Sequence, residues 1–376
     1  MAPPSVRLGL IVNPIAGVGG RVGLKGSDGA ETVRRAFALG AVPEANARAV
    51  RALERLRAEA SATSFALVVA PGPMGEQAAG AAGLAPDVVG GPLPAATTAE
   101  DTIRIARRMA TGVDLLLVVG GDGTAADVLE AVGTSVPVLG VPAGVKIHSA
   151  VFAVSPEAAG ALAAIVVRGA PVSFAEAEVL DLDEDAYRQG RIAPRLLGHL
   201  RVPKERRLVQ ARKAPSPAGE VVAVRAIAAD VVERMEPGRV YVLGPGTTVR
   251  AVAEHLGVPK TLVGVDVVRD GLLVAADVGE DDLLANVREG PASVVVTPVG
   301  GQGFVFGRGN QQIGPRVLRA VGREHLVVVA TAGKLASLAG LPLRVDTGDR
   351  EVDAWLAGHV LVTTGYRDRA VYRIEA

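Results

Sequence analysis

At 376 residues the chain exceeds the usual size of one domain, and 49% hydrophobic against 21% charged residues exclude a disordered or low-complexity protein. Zero cysteines exclude disulfides, thiolate metal sites and cysteine nucleophiles; forty basic residues against forty acidic ones remove the basic excess of a dedicated nucleic-acid binder. No apolar run approaches the roughly 20 residues of a membrane span, and Asn13-Pro14 interrupts the apolar start, so a cytoplasmic protein with no secretory signal is expected.

From Val6 the chain alternates short apolar runs with helical patterns. Strands are expected at Val6–Val12, Phe65–Ala70, Leu115–Val119 and Pro137–Gly140, with helices near Asn46–Ser61, Glu100–Ala110 and from Ala125 to Val132. Continuous apolar strands between helices imply a parallel sheet covered on both faces, whose ligands bind beyond the carboxyl ends of the strands. Ser155–Arg168 reads as a helix, followed by extended segments at Ser173–Val179 and Arg195–Val202 and a basic, proline-containing loop at Arg201–Gly219. Beyond it come a helix near Glu220–Arg234, a strand Val240–Leu243, a helix Thr248–His255 and many short β-branched runs between glycine turns. The expected fold is α/β: an N-terminal parallel-sheet nucleotide-binding domain over residues 1–168, then a β-rich α+β substrate domain over residues 169–376.

The sharpest feature is Leu115-Leu-Leu-Val-Val-Gly120-Gly121-Asp122-Gly123-Thr124, a buried strand entering a glycine turn and then a helix. Glycines admit phosphate oxygens close to the backbone, and a helix start favours negative charge. Asp122 would repel phosphate unless it holds Mg²⁺ or takes the proton of an attacking hydroxyl, which is kinase chemistry; an Asp capping the helix is the plainer alternative. A second glycine turn, Asn13-Pro14-Ile15-Ala16-Gly17-Val18-Gly19-Gly20, also follows a strand and matches neither the dinucleotide fingerprint nor a P-loop. A third, Gly140-Val-Pro142-Ala143-Gly144-Val-Lys146-Ile-His148-Ser149, carries one of only six lysines and a histidine, both suited to phosphate or ribose, although a lone histidine in a turn is more often a satisfied structural residue.

In the second half, Gly244-Pro245-Gly246-Thr247-Thr248 follows a strand and opens a helix, a further phosphate candidate with hydroxyl donors or simply a Thr-capped helix start. Asp266 ends a buried strand. Gly300–Gln312 brings five glycines with Gln302, Asn310, Gln311 and Gln312, whose amides suit the reading of an adenine or nicotinamide amide. The five histidines are scattered, and no Gly-x-Ser-x-Gly turn occurs, which disfavours stable protein-held metal and hydrolase chemistry.

Asn-Pro-x-Ala-Gly, Gly-Gly-Asp-Gly-Thr and Pro-x-Gly together resemble the superfamily that joins NAD kinases with diacylglycerol and sphingosine kinases. The tract Thr297–Gln312 makes the chain similar to the ATP-NAD kinase family that includes the acetoin-catabolism kinase-like proteins. The resemblance implies ATP as donor, a divalent metal such as Mg²⁺ with Asp122 as its protein contact, NAD as acceptor, an active site between the domains, and a homo-oligomer (dimer or tetramer). By the same resemblance Asp122 deprotonates or orients the acceptor hydroxyl. Asn13, Gly17, Gly19, Gly20, Gly120, Gly121, Gly123, Thr124, Lys146, Gly246, Thr247 and Thr248 then contact nucleotide or phosphate, and Asp127, His148, Asp266, Gln302, Asn310 and Gln311 serve substrate. Asp127 falls where lipid kinases carry Glu, five residues after Asp122, which on a helix turns it about 140° away. Pro142 stands where NAD kinases have Asn, and their ribose-gripping Asn-Glu pair is missing. A kinase for a lipid-like alcohol or another small metabolite, and a catalytically silent nucleotide sensor, therefore stay open.

Overall fold

In a computed structural model the chain divides into two compact units, residues 1–18 with 42–212 and residues 19–41 with 213–376. The structure describes residues 6–24, 29–60, 63–144, 147–182, 194–204, 220–261, 263–299 and 303–376.

The first unit is built on five parallel strands: β1 (Arg7–Val12), β2 (Ala66–Val69), β3 (Asp87–Val88), β4 (Leu115–Gly120) and β5 (Val138–Pro142). Their order is β3-β2-β1-β4-β5, so the chain builds outward one way from β1 and then restarts on its other side with β4. That reversal leaves a crevice beyond the carboxyl ends of β1 and β4. β4 is buried along its whole length, which explains why its sequence is a continuous apolar run rather than an alternating one.

Four of the helices of this unit are α2 (Ala45–Ala60), α3 (Glu76–Ala81), α4 (Ala99–Ala110) and α5 (Asp122–Val132), numbered after α1 (Ala30–Ala38), which counts with the second unit. α5 starts three residues before the expected Ala125, because the amide of Ala125 already closes a helical bond on the Gly121 carbonyl (3.0 Å). α6 (Pro156–Val167) is capped by Ser155, whose hydroxyl accepts from Ala158 N at 3.0 Å. It packs on α2 so closely that a Cβ on Gly160 would lie 2.1 Å from the Ala52 carbonyl oxygen.

The hairpin of β6 (Ser173–Leu182) and β7 (Pro194–Lys204) belongs to this first unit, although the sequence pattern starts the second domain at residue 169. Ala177, Val179, Leu200 and Val202 join Val128 and Val132 of α5 in one buried cluster, and that apolar face sets the allegiance. Arg201–Lys204, expected at the start of a loop, continue β7 because they pair with Ser173–Glu176. The rest of that loop, residues 205–219, lies outside the described residues.

The second unit carries a mixed nine-stranded sheet. β8 (Val240–Leu243), β11 (Ala292–Val296), β13 (Leu326–Val329) and β15 (Gly358–Gly365) run parallel, with the β9 (Asp266–Arg269) and β10 (Leu272–Ala275) hairpin at one edge. β16 (Asp368–Glu375) returns antiparallel, followed outward by β14 (Leu343–Val345) and β12 (Phe304–Phe306). The expectation of a strand-rich mixed domain holds. Its helices are α7 (Glu220–Glu233), α8 (Thr247–Leu256), α9 (Glu280–Arg288), α10 (Pro315–Val321), α11 (Ala332–Ala336) and α12 (Arg350–Leu356). Residues 19–24 dock here: the Glu280 amide donates to the Arg21 carbonyl (3.0 Å), and Arg21 reaches the Thr347 carbonyl (3.3 Å).

Candidate active site

Three glycine turns of the first unit meet at the β1/β4 crevice. The backbone amide of Asn13 continues the ladder onto the Val119 carbonyl (2.9 Å), which places its side chain beside the Gly120–Thr124 turn. There Asn13 Nδ2 donates to Thr124 Oγ1 (3.0 Å), while Asn13 Oδ1 accepts from the Ile15 amide (3.2 Å). Thr124 is buried, so this bond fixes one turn to the other. Thr124 is expected at phosphate from its place in the motif; the structure engages its hydroxyl inside the scaffold.

The glycines are required by close backbone approach. Gly17 has φ +76, and a Cβ there would lie 2.1 Å from the Ala143 carbonyl oxygen. A Cβ on Gly120 would meet Thr124 Oγ1 at 2.4 Å, and one on Gly121 would sit 3.1 Å from Gly144 Cα. Both Ala143 N and Gly144 N donate to the Gly120 carbonyl (2.8 and 3.0 Å). Pro-Ala-Gly thus lies on Gly-Gly-Asp with no side chains in between. Gly123 is exposed on the first turn of α5, and Asp127 is half-buried further along it.

Asp122 is the first residue of α5, where the helix dipole favours its negative charge. Its Oδ1 accepts from the Ser149 amide (2.9 Å), and its Oδ2 accepts from the His148 amide (2.7 Å) and faces His148 Nδ1 at 3.2 Å. The loop that supplies these donors is itself pinned. Ser149 Oγ donates to the Leu180 carbonyl (3.2 Å) and accepts from its amide (3.0 Å), and Gly140 N donates to the Val151 carbonyl (2.9 Å). Lys146 lies outside the described residues.

These surroundings do not suit a metal ion on Asp122. Its carboxylate is ringed by hydrogen-bond donors, whose positive ends oppose a cation, and among the described residues no group of three His, Cys, Asp or Glu is placed to hold one. The assignment of Mg²⁺ to Asp122 is therefore not supported by the site.

Arg48 does not stand out in the sequence as a site residue. It falls on the buried stripe of α2 with Ala45, Ala49 and Ala52, and its guanidinium reaches the Pro142 carbonyl (3.4 Å) and Glu44 (3.6 Å). A charged residue at an apolar-stripe position is the available signal.

Within the second unit, turns at the carboxyl ends of the parallel strands β8, β11 and β13 converge. Gly246, at φ +115, precedes α8, and a Cβ there would strike Thr297 Cγ2 at 2.6 Å. Thr297 Oγ1 accepts from Lys334 Nζ (3.1 Å) at the start of α11. Thr247 is exposed at this turn and Thr248 is buried. Nothing in the sequence ties Lys334, one of the six lysines, to this turn. Gly19 and Gly20 are buried with this unit.

Three expected substrate contacts prove to be scaffold or fall outside. Asp266 is buried in an ion pair with Lys260 (2.9 Å) and accepts from the Thr261 amide and hydroxyl (2.8 Å each) and the Asp277 amide (2.7 Å), leaving nothing to offer a ligand. Asn310 is buried, donating to the Val305 carbonyl (2.8 Å) and accepting from Gly307 N (3.1 Å) to shape its own loop. Gln302 is outside the described residues, and Gln311 is half-buried in the same loop as Asn310. Arg308, in that loop, forms a buried ion pair with Asp346 (3.0 Å) and stacks over Phe304.

Residues 8–170 match the family model of the ATP-NAD kinase N-terminal domain, and residues 237–374 match that of the ATP-NAD kinase C-terminal domain. No curated protein and no solved structure matches the chain. Among the described residues no helix is long and apolar enough to cross a membrane.

Proposed function

Because the chain belongs to the ATP-NAD kinase family across both of its domains, a family of phosphotransferases, we propose that it moves the γ-phosphoryl group of ATP onto the 2′-hydroxyl of NAD. The observation that carries this reading is the fixed acidic side chain in a side-chain-free turn. Asp122 stands at the start of α5, beyond the carboxyl end of the buried strand β4, clasped by the amides of His148 and Ser149. Around it Gly17, Gly120, Gly121 and Gly144 let the three turns pack backbone on backbone, and the exposed Gly123 leaves the first amides of α5 open to a polyphosphate.

In this reading the phosphates lie against the turns after β1, β4 and β5, with Gly123 and the first amides of α5 as donors. Asn13 and Thr124 act by locking the first two turns together, and Asp122 governs the acceptor's proton. A divalent ion enters with the nucleotide phosphates rather than on a protein cage. In the second unit, Gly246, Thr247 and Lys334 offer further anion or hydroxyl contacts. Phosphoryl transfer asks mainly for positioning and charge neutralisation, and backbone amides and a few cations provide both without a net basic charge.

The test is an ADP-release screen of the purified protein with ATP and Mg²⁺ against NAD, NADH, nucleosides, sugars and long-chain alcohols in vesicles. ADP release with NAD, and the appearance of NADP, is the expected result. Turnover only with a vesicle-borne alcohol supports a lipid kinase instead, and ATP binding without ADP release in any arm supports a sensor.

A further inference from the structure

We propose that His148 is the base of this phosphoryl transfer and that Asp122 acts through it, an inference that rests on the kinase reading above. Asp122 Oδ2 accepts from the His148 main-chain amide at 2.7 Å and faces the Nδ1 of the same residue at 3.2 Å, while Oδ1 accepts from the Ser149 amide at 2.9 Å. A carboxylate can only accept, so Nδ1 is the donor of this contact, and the lone pair with which the ring can take a proton is the one on Nε2. Among the described residues nothing hydrogen-bonds to Nε2.

A base needs shelter from bulk water together with access for the reacting hydroxyl, and the two side chains are 14% and 11% exposed for His148 and Asp122. The imidazole also sits on a loop that does not need to move. Ser149 is fully buried and bonds both ways with Leu180, and the Ala150 amide donates to the Glu178 carbonyl (3.0 Å). With the His148 amide on Asp122, the loop that carries the ring is thus fastened at His148, Ser149 and Ala150.

Asp122 is the poorer place for the proton. Its Oδ2 already faces two N–H groups of His148, the main-chain amide and Nδ1, so a proton there would set hydrogen against hydrogen, while Oδ1 is engaged by the Ser149 amide. Passing the proton to Nε2 keeps both amide bonds and turns Nδ1–H···Oδ2 into a charge-assisted bond between imidazolium and carboxylate. The step balances. The acceptor oxygen forms a bond to the γ-phosphorus, the bond from that phosphorus to the β–γ bridging oxygen breaks, and its electron pair leaves with ADP. The hydroxyl proton goes to His148 Nε2 and is returned to water after product leaves. Asp122 is the positioning residue of this pair.

His148→Asn tests it, since its Nδ2 stands near the Nδ1 position and can still donate to Asp122 but cannot take a proton. The expected result is a fall in kcat of at least about 100-fold, in the range that general-base removal gives, with the KM for ATP unchanged within about threefold. A smaller fall in kcat, or a parallel loss of ATP affinity, overturns the proposal. A second readout needs no turnover: proton NMR of the wild-type protein should show the His148 Nδ1–H downfield of the backbone amides, and a folded Asp122→Asn protein should lack or shift it. Absence of that resonance in the wild type also overturns the proposal. A wild-type protein that shows the resonance but releases no ADP with any acceptor overturns the kinase reading, and with it a base for that reaction, whereas ADP release with an unimpaired His148 variant overturns the role of His148 only.

Discussion

Gly17 shows how much one missing side chain can decide. Its positive φ and the 2.1 Å approach of a Cβ to the Ala143 carbonyl mean that Gly17→Ala must push the Asn13 turn away from the Pro142–Gly144 turn. We expect the variant to lose at least about 1 kcal/mol in denaturant unfolding and to weaken ATP binding, whereas Gly29→Ala, with open space around it, should leave ATP affinity unchanged. Glu280 makes a second prediction at this scale. Burial pushes its carboxyl above the ordinary value of 4.5, against the opposing pull of Arg21 and Arg316. A raised folded-state value means the folded form binds the proton more tightly, so Glu280 supports stability at low pH, and that support is lost as pH rises from about 4.5 through the elevated value. The stability difference between wild type and Glu280→Gln, followed by denaturant titration from pH 4 to 8, should therefore move against the wild type as pH rises. The residues of the Gly-Gly-Asp-Gly-Thr turn are legible in the sequence because paired glycines directly after a buried strand, with an acidic residue and a third glycine behind them, mark a bare turn at a helix start. Asp266 misleads for a physical reason: a buried Asp at a strand end looks the same in sequence whether it faces a ligand or Lys260, and the lysine is six residues upstream across a turn.

Elements with strong local signals coincide with expectation. β8 runs over Val240–Leu243 as read, and α2, α4 and α6 lie within a residue or so of their expected bounds, since apolar stripes and caps mark them directly. α4 opens with a capping box in which the Thr98 amide donates to Asp101 Oδ2 (3.0 Å) and Arg104 pairs with the other oxygen (2.8 Å). Asp101→Ala should cost about 1 kcal/mol of global stability by thermal or denaturant unfolding and leave ATP binding intact, because α4 supplies none of the glycine turns. α1 and α3 are not legible in the sequence. α1 buries a single residue, Ala36, and the six-residue α3 contains Gly80, so neither displays an apolar stripe. The start of α5 is hidden because Gly121 and Gly123 suggest a turn, while tertiary bonds to the 147–149 loop hold Asp122 at the helix start.

For the whole molecule, the sequence conveys two domains and their classes but not how the chain is shared between them. The glycine-rich tract after β1 reads as one motif, yet Gly17 packs on the first unit and residues 19–24 hydrogen-bond within the second, so the division passes between Val18 and Gly19. Only through-space partners such as Glu280 and Thr347, more than 250 residues away in sequence, reveal it. Zero net charge belongs to this scale as well. With no long-range field to attract ATP, its KM should change by less than about threefold between 50 and 300 mM salt, measured as initial rates, because neutralisation is local. We propose that Asp122 serves phosphoryl transfer rather than folding. This role is tested most directly by measuring turnover and ATP affinity of Asp122→Asn beside the wild type, with NAD as acceptor. A kcat reduced by about 100-fold or more with ATP binding retained is expected, since the Asn side-chain oxygen can still accept one of the two loop amides. An Asp122→Asn protein that turns over at the wild-type rate would contradict it.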